Sequence, residues 1–472
     1  MNKIYLTTAI PYVNGNPHIG HSLDYLLADV CARYHRLLGD EVRLQAGTDE
    51  HGGKIAQKAS DTKIPVQEYV DTNVEAFKSF IEKMGVTYTD FVRTTDEDHI
   101  ARCQEIWRCL ADHIYKAEYE GWYCEGCERY VTEKEYDEND GVCPDHQKPY
   151  QKLKESNYYF RISDFKERIR AAIESDEMRI LPEFRKREVL KLLEDSPDVS
   201  VSRPISQLKW GVPVPDDSEQ TMYVWIDALS NYITVLGYPD VDVSDWWPAE
   251  AQFLGKDILR FHAIIWPAML MGLGLPLPKN MVTHGFVLSN GQKMSKSIGN
   301  VVDPLEALER HGCEAFRYFF LKRMDTFNDS DFTFERFDDA YNNELANDLG
   351  NLVQRLATLA SKNGISSVET EGCCEMTDDY RALMDSYDYT KAFEYVWGLV
   401  QGLNRRIDEE KPWMLAKNGE TDKLNDCMTA LIKEMIRVAY LLSPFLPETA
   451  GRIYEVFEKP ITPPSEPLFP KQ

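Results

Sequence analysis

Stretches long and apolar enough to cross a membrane are missing from this sequence. The longest apolar run, Ala263 to Leu275, is short and broken by Pro267 and two glycines, whereas a spanning helix needs about 20 apolar residues. The opening residues, Met1 to Thr8, read as a strand and lack the apolar core and cleavage site of a secretory signal. The expectation is a cytoplasmic protein. A disulfide framework is missing as well. Cys31, Cys103, Cys109, Cys313, Cys373, Cys374 and Cys427 are scattered without regular spacing, which fits a reducing compartment. Positive charge is scarce: 53 Lys and Arg face 78 Asp and Glu, a net charge of −25. That excludes a general nucleic-acid coat protein. A specific nucleic-acid partner would need a local patch, and binding away from it would be weak and salt-sensitive. No internal repeat or low-complexity tract is present. At 472 residues the chain should form about three domains with a large buried core.

Two short stretches carry phosphate chemistry. Lys293-Met294-Ser295-Lys296-Ser297 follows the turn signal Asn290-Gly291, giving a mobile cationic loop able to fold over a polyphosphate. Alone it is a basic loop like many others. The second stretch is Pro17-His18-Ile19-Gly20-His21. His18 and His21 are three residues apart at a predicted helix start, so they share one face. Helix N-termini favour anions, and imidazole donors can follow charge that moves during phosphoryl transfer. Either histidine could instead cap the helix or pack.

The surrounding pattern alternates strand, polar turn and helix. Residues 4–8 and 42–46 read as strands. Ile19 to Leu38 has helical apolar spacing at Leu23, Leu26, Leu27, Val30, Tyr34 and Leu37 and closes at Gly39. This is the signature of a parallel α/β sheet, whose ligands bind beyond the carboxyl ends of the strands. His18, His21 and Asp49 lie where that rule puts a site. Cys124-Glu125-Gly126-Cys127 and Cys143-Pro144-Asp145-His146 form C-x-x-C and C-x-x-H. Three thiolates and one imidazole suit tetrahedral zinc, and four protein ligands make the site structural. Trp225, Tyr232, His262 and Trp266 are either core aromatics or, with Asp49, the walls of a small pocket. Residues 150–220 mix helix and strand and carry no readable chemistry.

After Phe320 the chain turns helical. Tyr341, Leu345, Leu349, Leu352, Leu356 and Leu359 form one stripe, with Asn351 and Arg355 beside it, and a second helix runs from about Met428 to Leu442. The expectation is a helical bundle. Lys411-Pro412-Trp413 starts a turn, where a tryptophan packs more often than it is exposed. The proline-rich tail after Lys459 is expected to run along the surface.

These residues resemble the methionyl-tRNA synthetase family of class I aminoacyl-tRNA synthetases, in the branch with a single zinc knuckle. The resemblance covers nearly the whole chain. It rests on His18–His21, Lys293–Ser297, Ala9-Ile10-Pro11-Tyr12, Gly47-Thr48-Asp49-Glu50-His51-Gly52, Tyr223-Val224-Trp225-Ile226-Asp227-Ala228, and Phe261-His262 with Trp266-Pro267-Ala268. It implies a Rossmann-like parallel-sheet α/β catalytic domain interrupted by a zinc-binding insertion, followed by an all-α anticodon-binding domain. The expected division is catalytic first half 1–117, insertion 118–220 with the knuckle at 124–146, catalytic second half 221–325, and helical domain 326–472.

The resemblance also implies residue roles. Ile10, Tyr12, Trp225, Ala228, Leu229, Tyr232 and His262 would form a methionine pocket, with Asp49 on the substrate ammonium; Leu229 departs from members with proline there. His18, Gly20, His21, Gly255, Asp257, Val287 and Lys296 would hold ATP. His18, His21, Lys293 and Lys296, with Mg2+, would stabilise charge on the reacting phosphates. Asn351, Arg355 and Trp413 would read the anticodon of tRNA(Met), initiator and elongator. The implied activity is methionine–tRNA ligation in a monomer with one structural zinc. An apolar pocket separates side chains differing by a methylene by about 1–3 kcal/mol, so homocysteine rejection would rely on the family's editing in the synthetic site. Two rivals are a leucine, isoleucine or valine synthetase, which would carry a longer editing insertion, and a non-catalytic derivative, which would be expected to lose the signature histidines or lysines.

Overall fold

The protein is described from a computed structural model covering residues 1–124, 126, 129–294, 299–458 and 460–471. Its centre is a six-stranded, all-parallel sheet of β1 (Lys3–Thr8), β2 (Glu41–Thr48), β3 (Asp90–Arg93), β4 (Arg179–Leu181), β5 (Ala251–Gly255) and β6 (Asn280–His284), in the order β3-β2-β1-β5-β6-β4. The strands next to the centre are apolar on both faces because helices cover both sides. Alternation along β1 is visible in the packing: Ile4 and Leu6 enter one core, and Tyr5 enters the other. The order reverses between β1 and β5, which opens a crevice beyond their carboxyl ends.

Helix α1 (Ser22–Leu37) packs on the face of Ile4 and Leu6 and carries buried Leu23, Leu26, Leu27 and Val30. It ends near Gly39, whose φ of +88° is a left-handed conformation that glycine adopts without strain. Helix α2 (Val224–Thr234) packs on the opposite face with Ile226, Leu229 and Ile233. The first core is continuous with the carboxyl-terminal bundle, since Leu352, Leu356, Leu431 and Met435 belong to the same cluster as Leu6 and Phe253.

The boundary expected at residue 220 needs correcting. An antiparallel sheet built on Ile114–Cys124 and Gln151–Phe160 does stand apart. However, β4 lies inside the span assigned to the insertion and pairs with β6 in the main sheet. Three residues of strand are too few to announce themselves by periodicity.

The helical segment α3 (Pro304–Tyr318), broken by a kink at Gly312, leads towards the bundle, which includes α4 (Asn351–Lys362), α5 (Tyr389–Glu410), α6 (Pro412–Asn418) and α7 (Thr421–Leu442). The stripe from Tyr341 to Leu356 is buried as read, but Ala340–Gly350 is wound as a wider π-helix before α4 begins. Arg317 of α3 is wholly buried. It donates to Phe445 O at 2.7 Å, Pro444 O at 3.2 Å and Met84 O at 3.1 Å, and pairs with Asp29 of α1 at 2.8 Å. A buried charge is tolerated only when partnered in this way. The proline-rich tail also departs from expectation. It crosses the bundle surface but seats Ile461, Leu468 and Phe469 in the core. Among the described residues no helix is long and apolar enough to cross a membrane.

Candidate active site

The crevice between β1 and β5 holds a cavity of about 500 Å³. From the end of β1 come Ile10 and Tyr12, followed by His18, Gly20 and His21. Asp49 comes from the end of β2, and Trp225, Ala228, Leu229 and Tyr232 come from α2. Gly255, Asp257 and His262 follow β5, and Val287 and Lys293 follow β6. The described residues singled out for ATP and methionine therefore line one space. Trp266 does not. It is fully buried behind Tyr232, at a ring-centroid distance of 5.7 Å, and donates to Gln252 Oε1 at 3.1 Å. Lys296 and Cys127 lie outside the described residues.

The two histidines at the start of α1 both cap and present donors. His18 Nδ1 accepts from Gly20 N at 3.1 Å, and His21 Nδ1 accepts from His18 N at 3.1 Å. The rings stack with centroids 3.8 Å apart. Because each Nδ1 is an acceptor, the ring proton of each neutral imidazole sits on Nε2. The capping and functional alternatives are thus compatible: capping fixes the tautomer that leaves Nε2–H to donate. Gly20 is required here, since a Cβ would lie 2.9 Å from the His18 ring.

The aromatic end of the cavity is built around His262, which is buried. Its Nδ1 donates to Ile258 O at 3.0 Å, because a carbonyl can only accept, so Nε2 accepts from Tyr232 Oη at 2.7 Å. Burial pushes the His262 pKa down to about 4, with the hydrogen bond to Ile258 and the Asp24 charge opposing. This end of the cavity is uncharged at neutral pH and suits a thioether. Trp225 stacks on Phe261 at 3.8 Å and meets His262 edge-on. Leu229 is buried and lines the wall.

Asp49 is fixed through its backbone, its N donating to Pro11 O at 2.9 Å and its O accepting from Val13 N at 3.1 Å. Its neighbours in the same motif hold the loop. Glu50 takes a bidentate pair from Arg93, both bonds at 2.8 Å, and His51 Nδ1 meets Asp227 Oδ2 at 2.7 Å. Asp227 also takes His99 Nε2 at 2.8 Å. Burial would raise the Asp227 pKa, but the two histidines hold it down at about 2. Asp227 therefore ties α2, which carries Trp225 and Tyr232, to the loop that carries Asp49. Gly52 has a φ of +124°, and a Cβ there would collide with the Tyr12 hydroxyl at 1.6 Å. Glycine is what lets Tyr12 reach the site.

Several lining residues carry no motif in the sequence and were missed. Asp24, Lys54, His284 and Phe286 all face the cavity. His284 donates to Gly285 O at 2.8 Å and meets Asp24 Oδ1 at 3.0 Å. Burial lowers its pKa, but the Asp24 charge and hydrogen bond overcome that and leave it raised. Lys293 lies over the Phe286 ring at 4.4 Å and Lys256 lies over the same ring at 4.3 Å.

Comparison with known proteins decides the family. The family model for class I tRNA synthetases (M) matches residues 4–155 and 146–357. The chain belongs to the methionyl-tRNA synthetase family. It is 38% identical to a methionine–tRNA ligase of Thermotoga maritima over 96% of this chain and 75% of that protein. It is 37% identical to one from Brucella suis over 97% of this chain and 92% of that protein. A solved methionyl-tRNA synthetase of Mycobacterium tuberculosis in complex with methionyl-adenylate superposes with a TM-score of 0.91 at 34% identity, covering both chains fully. The free-state structure from the same organism gives 0.84. The parallel-sheet core, the helical carboxyl-terminal region and the ligase class are those of this synthetase family.

Two further groups lie away from the cavity. Cys124, Cys143 and His146 bring their ligand atoms within 4.8 Å of one another, with Cys143 Sγ 3.6 Å from His146 Nδ1. Two thiols and an imidazole at this spacing fit a tetrahedral metal with one further sulfur. Gly126 packs against His146, where a Cβ would come within 2.4 Å of the ring. In the bundle, Asn351 and Arg355 sit one turn apart on α4. Arg355 donates to Asp408 at 2.8 Å and lies 4.8 Å over the Trp413 ring. Of the two alternatives for Trp413, packed or exposed, the structure has the exposed one: Lys411 ends α5 in a left-handed conformation, Pro412 starts α6, and Trp413 is 36% exposed.

Proposed function

We infer that the cavity binds methionine and ATP and forms methionyl adenylate, and that the chain then charges tRNA(Met), initiator and elongator, as a methionine–tRNA ligase. The observation that carries this reading is the convergence of the two phosphate-handling stretches and the neutral aromatic pocket on one space at the strand-order switch point. Asp49 takes the substrate ammonium, and Ile10, Tyr12, Trp225, Ala228, Leu229, Tyr232 and His262 enclose the thioether. His18, Gly20, His21, Gly255, Asp257, Val287 and Lys296 hold ATP, which arrives with its Mg2+.

A methionine carboxylate oxygen attacks the α-phosphorus. The O–P bond forms, the bond to the bridging oxygen breaks, and pyrophosphate leaves with the electron pair. No protein nucleophile is needed. His18, His21, Lys293 and Lys296 stabilise the charge that spreads over the phosphate oxygens. A ribose hydroxyl of the terminal tRNA adenosine then attacks the methionyl carbonyl, and AMP leaves. The test is ATP–pyrophosphate exchange across twenty amino acids. Methionine should drive it best, and stronger exchange with leucine, isoleucine or valine would overturn the substrate.

Cys124, Cys127, Cys143 and His146 would hold one zinc. With four protein ligands such a zinc would shape the insertion and leave no open position for chemistry. Purified protein should contain about one zinc equivalent, and chelation should lower the melting temperature. Less than half an equivalent, with stability unmoved by chelator, would remove the assignment.

A further inference from the structure

We propose that a polar row across the central sheet, Gln45, Thr7 and Gln252, is the positioning floor of the thioether pocket and sets the length of side chain that the pocket accepts. This rests on the reading of the aromatic end of the cavity as the methionine pocket, and it adds residues that touch no substrate. Central strands of a parallel sheet covered on both faces are normally apolar. Three neighbouring strands break that rule at one level. Thr7 of β1 pairs in register with Gln45 of β2 on one side and with Gln252 of β5 on the other. Residues in register point to the same face of a sheet, and Thr7 shares the face of Tyr5, two residues earlier. That is the face on which α2 packs.

The row holds the elements that wall the pocket. Gln45, Thr7 and Gln252 are all buried. Gln45 Nε2 donates to Asn231 Oδ1 of α2 at 2.8 Å, and Asn231 Nδ2 in turn donates to Ala228 O, one turn back on the same helix. Tyr5 Oη, from the same face of the sheet, donates to Tyr232 O at 2.9 Å. On the other side Gln252 Nε2 donates to Thr7 Oγ1 at 3.1 Å, and Gln252 Oε1 accepts from Trp266 Nε1 at 3.1 Å. Trp266 backs the Tyr232 ring. The sheet thus fixes the helix that carries Ala228, Leu229 and Tyr232, and also the indole behind Tyr232. Tyr232 then fixes His262 through its hydroxyl.

Packing alone does not call for these groups. An apolar side chain at position 45 would fill the same space without burying an amide. The amide is also only half used, since among the described residues Gln45 Oε1 has no hydrogen-bond partner. An unpaired buried acceptor is destabilising. What the amides supply is direction. Apolar contact is non-directional, whereas a hydrogen bond has a preferred length and angle, so the row holds α2 at one height over the sheet. Height is what this pocket has to control. Its thioether end offers the side chain no charge to recognise, because burial keeps His262 neutral. Selection there falls to fit, and an apolar pocket of fixed depth separates side chains differing by a methylene by about 10- to 200-fold.

The test measures ATP–pyrophosphate exchange driven by methionine and by ethionine, whose side chain is one methylene longer. The full chain is compared with Gln45→Met, with Gln45→Met combined with Asn231→Leu, with Thr7→Val and with Thr7→Ser. The KM for ATP and the melting temperature are taken for each. Gln45→Met alone strands Asn231 Oδ1 and should lower the melting temperature. The double variant replaces both partners by apolar groups of similar shape, which is nearly neutral for stability, so its melting temperature should return. Its KM for methionine should nonetheless stay up by about tenfold, with kcat and the KM for ATP nearly unchanged, and its preference for methionine over ethionine should fall by about tenfold. Thr7→Val keeps the β-branched shape and removes the acceptor of Gln252; it should shift both readings the same way by about threefold. Thr7→Ser keeps the hydroxyl and should restore them. Unmodified values of methionine KM and ethionine preference in the double variant and in Thr7→Val would overturn the floor and leave the pocket reading standing. Equal behaviour of Thr7→Val and Thr7→Ser would overturn it too, as would a KM for ATP that rises along with that for methionine. Failure of methionine to drive exchange in the unmodified protein would overturn the pocket reading and the floor with it.

Discussion

Replacing His21 with alanine is expected to lower methionine-driven ATP–pyrophosphate exchange by on the order of 10²–10³-fold, the effect of removing one preorganised donor from a developing negative charge. The loss should fall on kcat, with the KM for methionine nearly unchanged, because His21 is proposed to act on the phosphates and not on the methionine side chain. The same ring also accepts from His18 N, so alanine loosens the entry to α1 as well. His21→Asn separates the two effects. Its amide oxygen can take over the backbone bond while the imidazole Nε2–H is lost. A melting temperature close to that of the unmodified protein, with exchange still depressed at least tenfold, is the expected result. Exchange within threefold of the unmodified protein in both variants would remove His21 from the chemistry and leave it a cap.

Trp413→Ala should separate the two halves of the molecule. An indole that stacks on an anticodon base contributes about 1–3 kcal/mol, so charging efficiency should fall by roughly one to two orders of magnitude. Methionine activation without tRNA should hold, since α6 has no part in the cavity. Stability should change little, because the ring is 36% exposed and its contact beneath is the Arg355 guanidinium. A packed tryptophan would behave otherwise: truncation would cost about 3–5 kcal/mol and both reactions would suffer together. Measuring charging, exchange and melting temperature on this one variant distinguishes the outcomes.

What the sequence made legible is what it keeps contiguous. His18 to His21, the loop beginning at Lys293 and the Asp49 motif each concentrate unusual residues in a few positions, so their chemistry can be read before their geometry. Asp24, Lys54 and His284 reach the same cavity singly, from elements whose periodicity describes the other face, and no local pattern marks them. The Asp227 cluster was hidden for a related reason. Its partners His51 and His99 are far off in sequence and meet only when α2 packs beside the end of β2. The short strand β4 and the buried Leu468 and Phe469 escaped because three strand residues, or two apolar residues among prolines, carry too little period to separate from a loop. For Trp413, residue type alone favours packing, and the structure exposes it instead. Its exposure follows from the left-handed Lys411 and the new helix begun by Pro412, which set the indole beside Arg355.

Arg317 has a consequence for how an RNA is measured. Its guanidinium joins Asp29 on α1, the helix that begins at His21, to the carbonyls of Pro444 and Phe445 at the end of α7. Removing either partner by mutation would leave the other charge buried and uncompensated, at a cost of about 3–5 kcal/mol, so this joint ties the turn after α7 to α1. On the proposed function, the joint would act like the screw of a caliper: a tRNA seated by its anticodon on the bundle would meet the cavity at a set span, and an inserted pair in its anticodon stem should lower its charging.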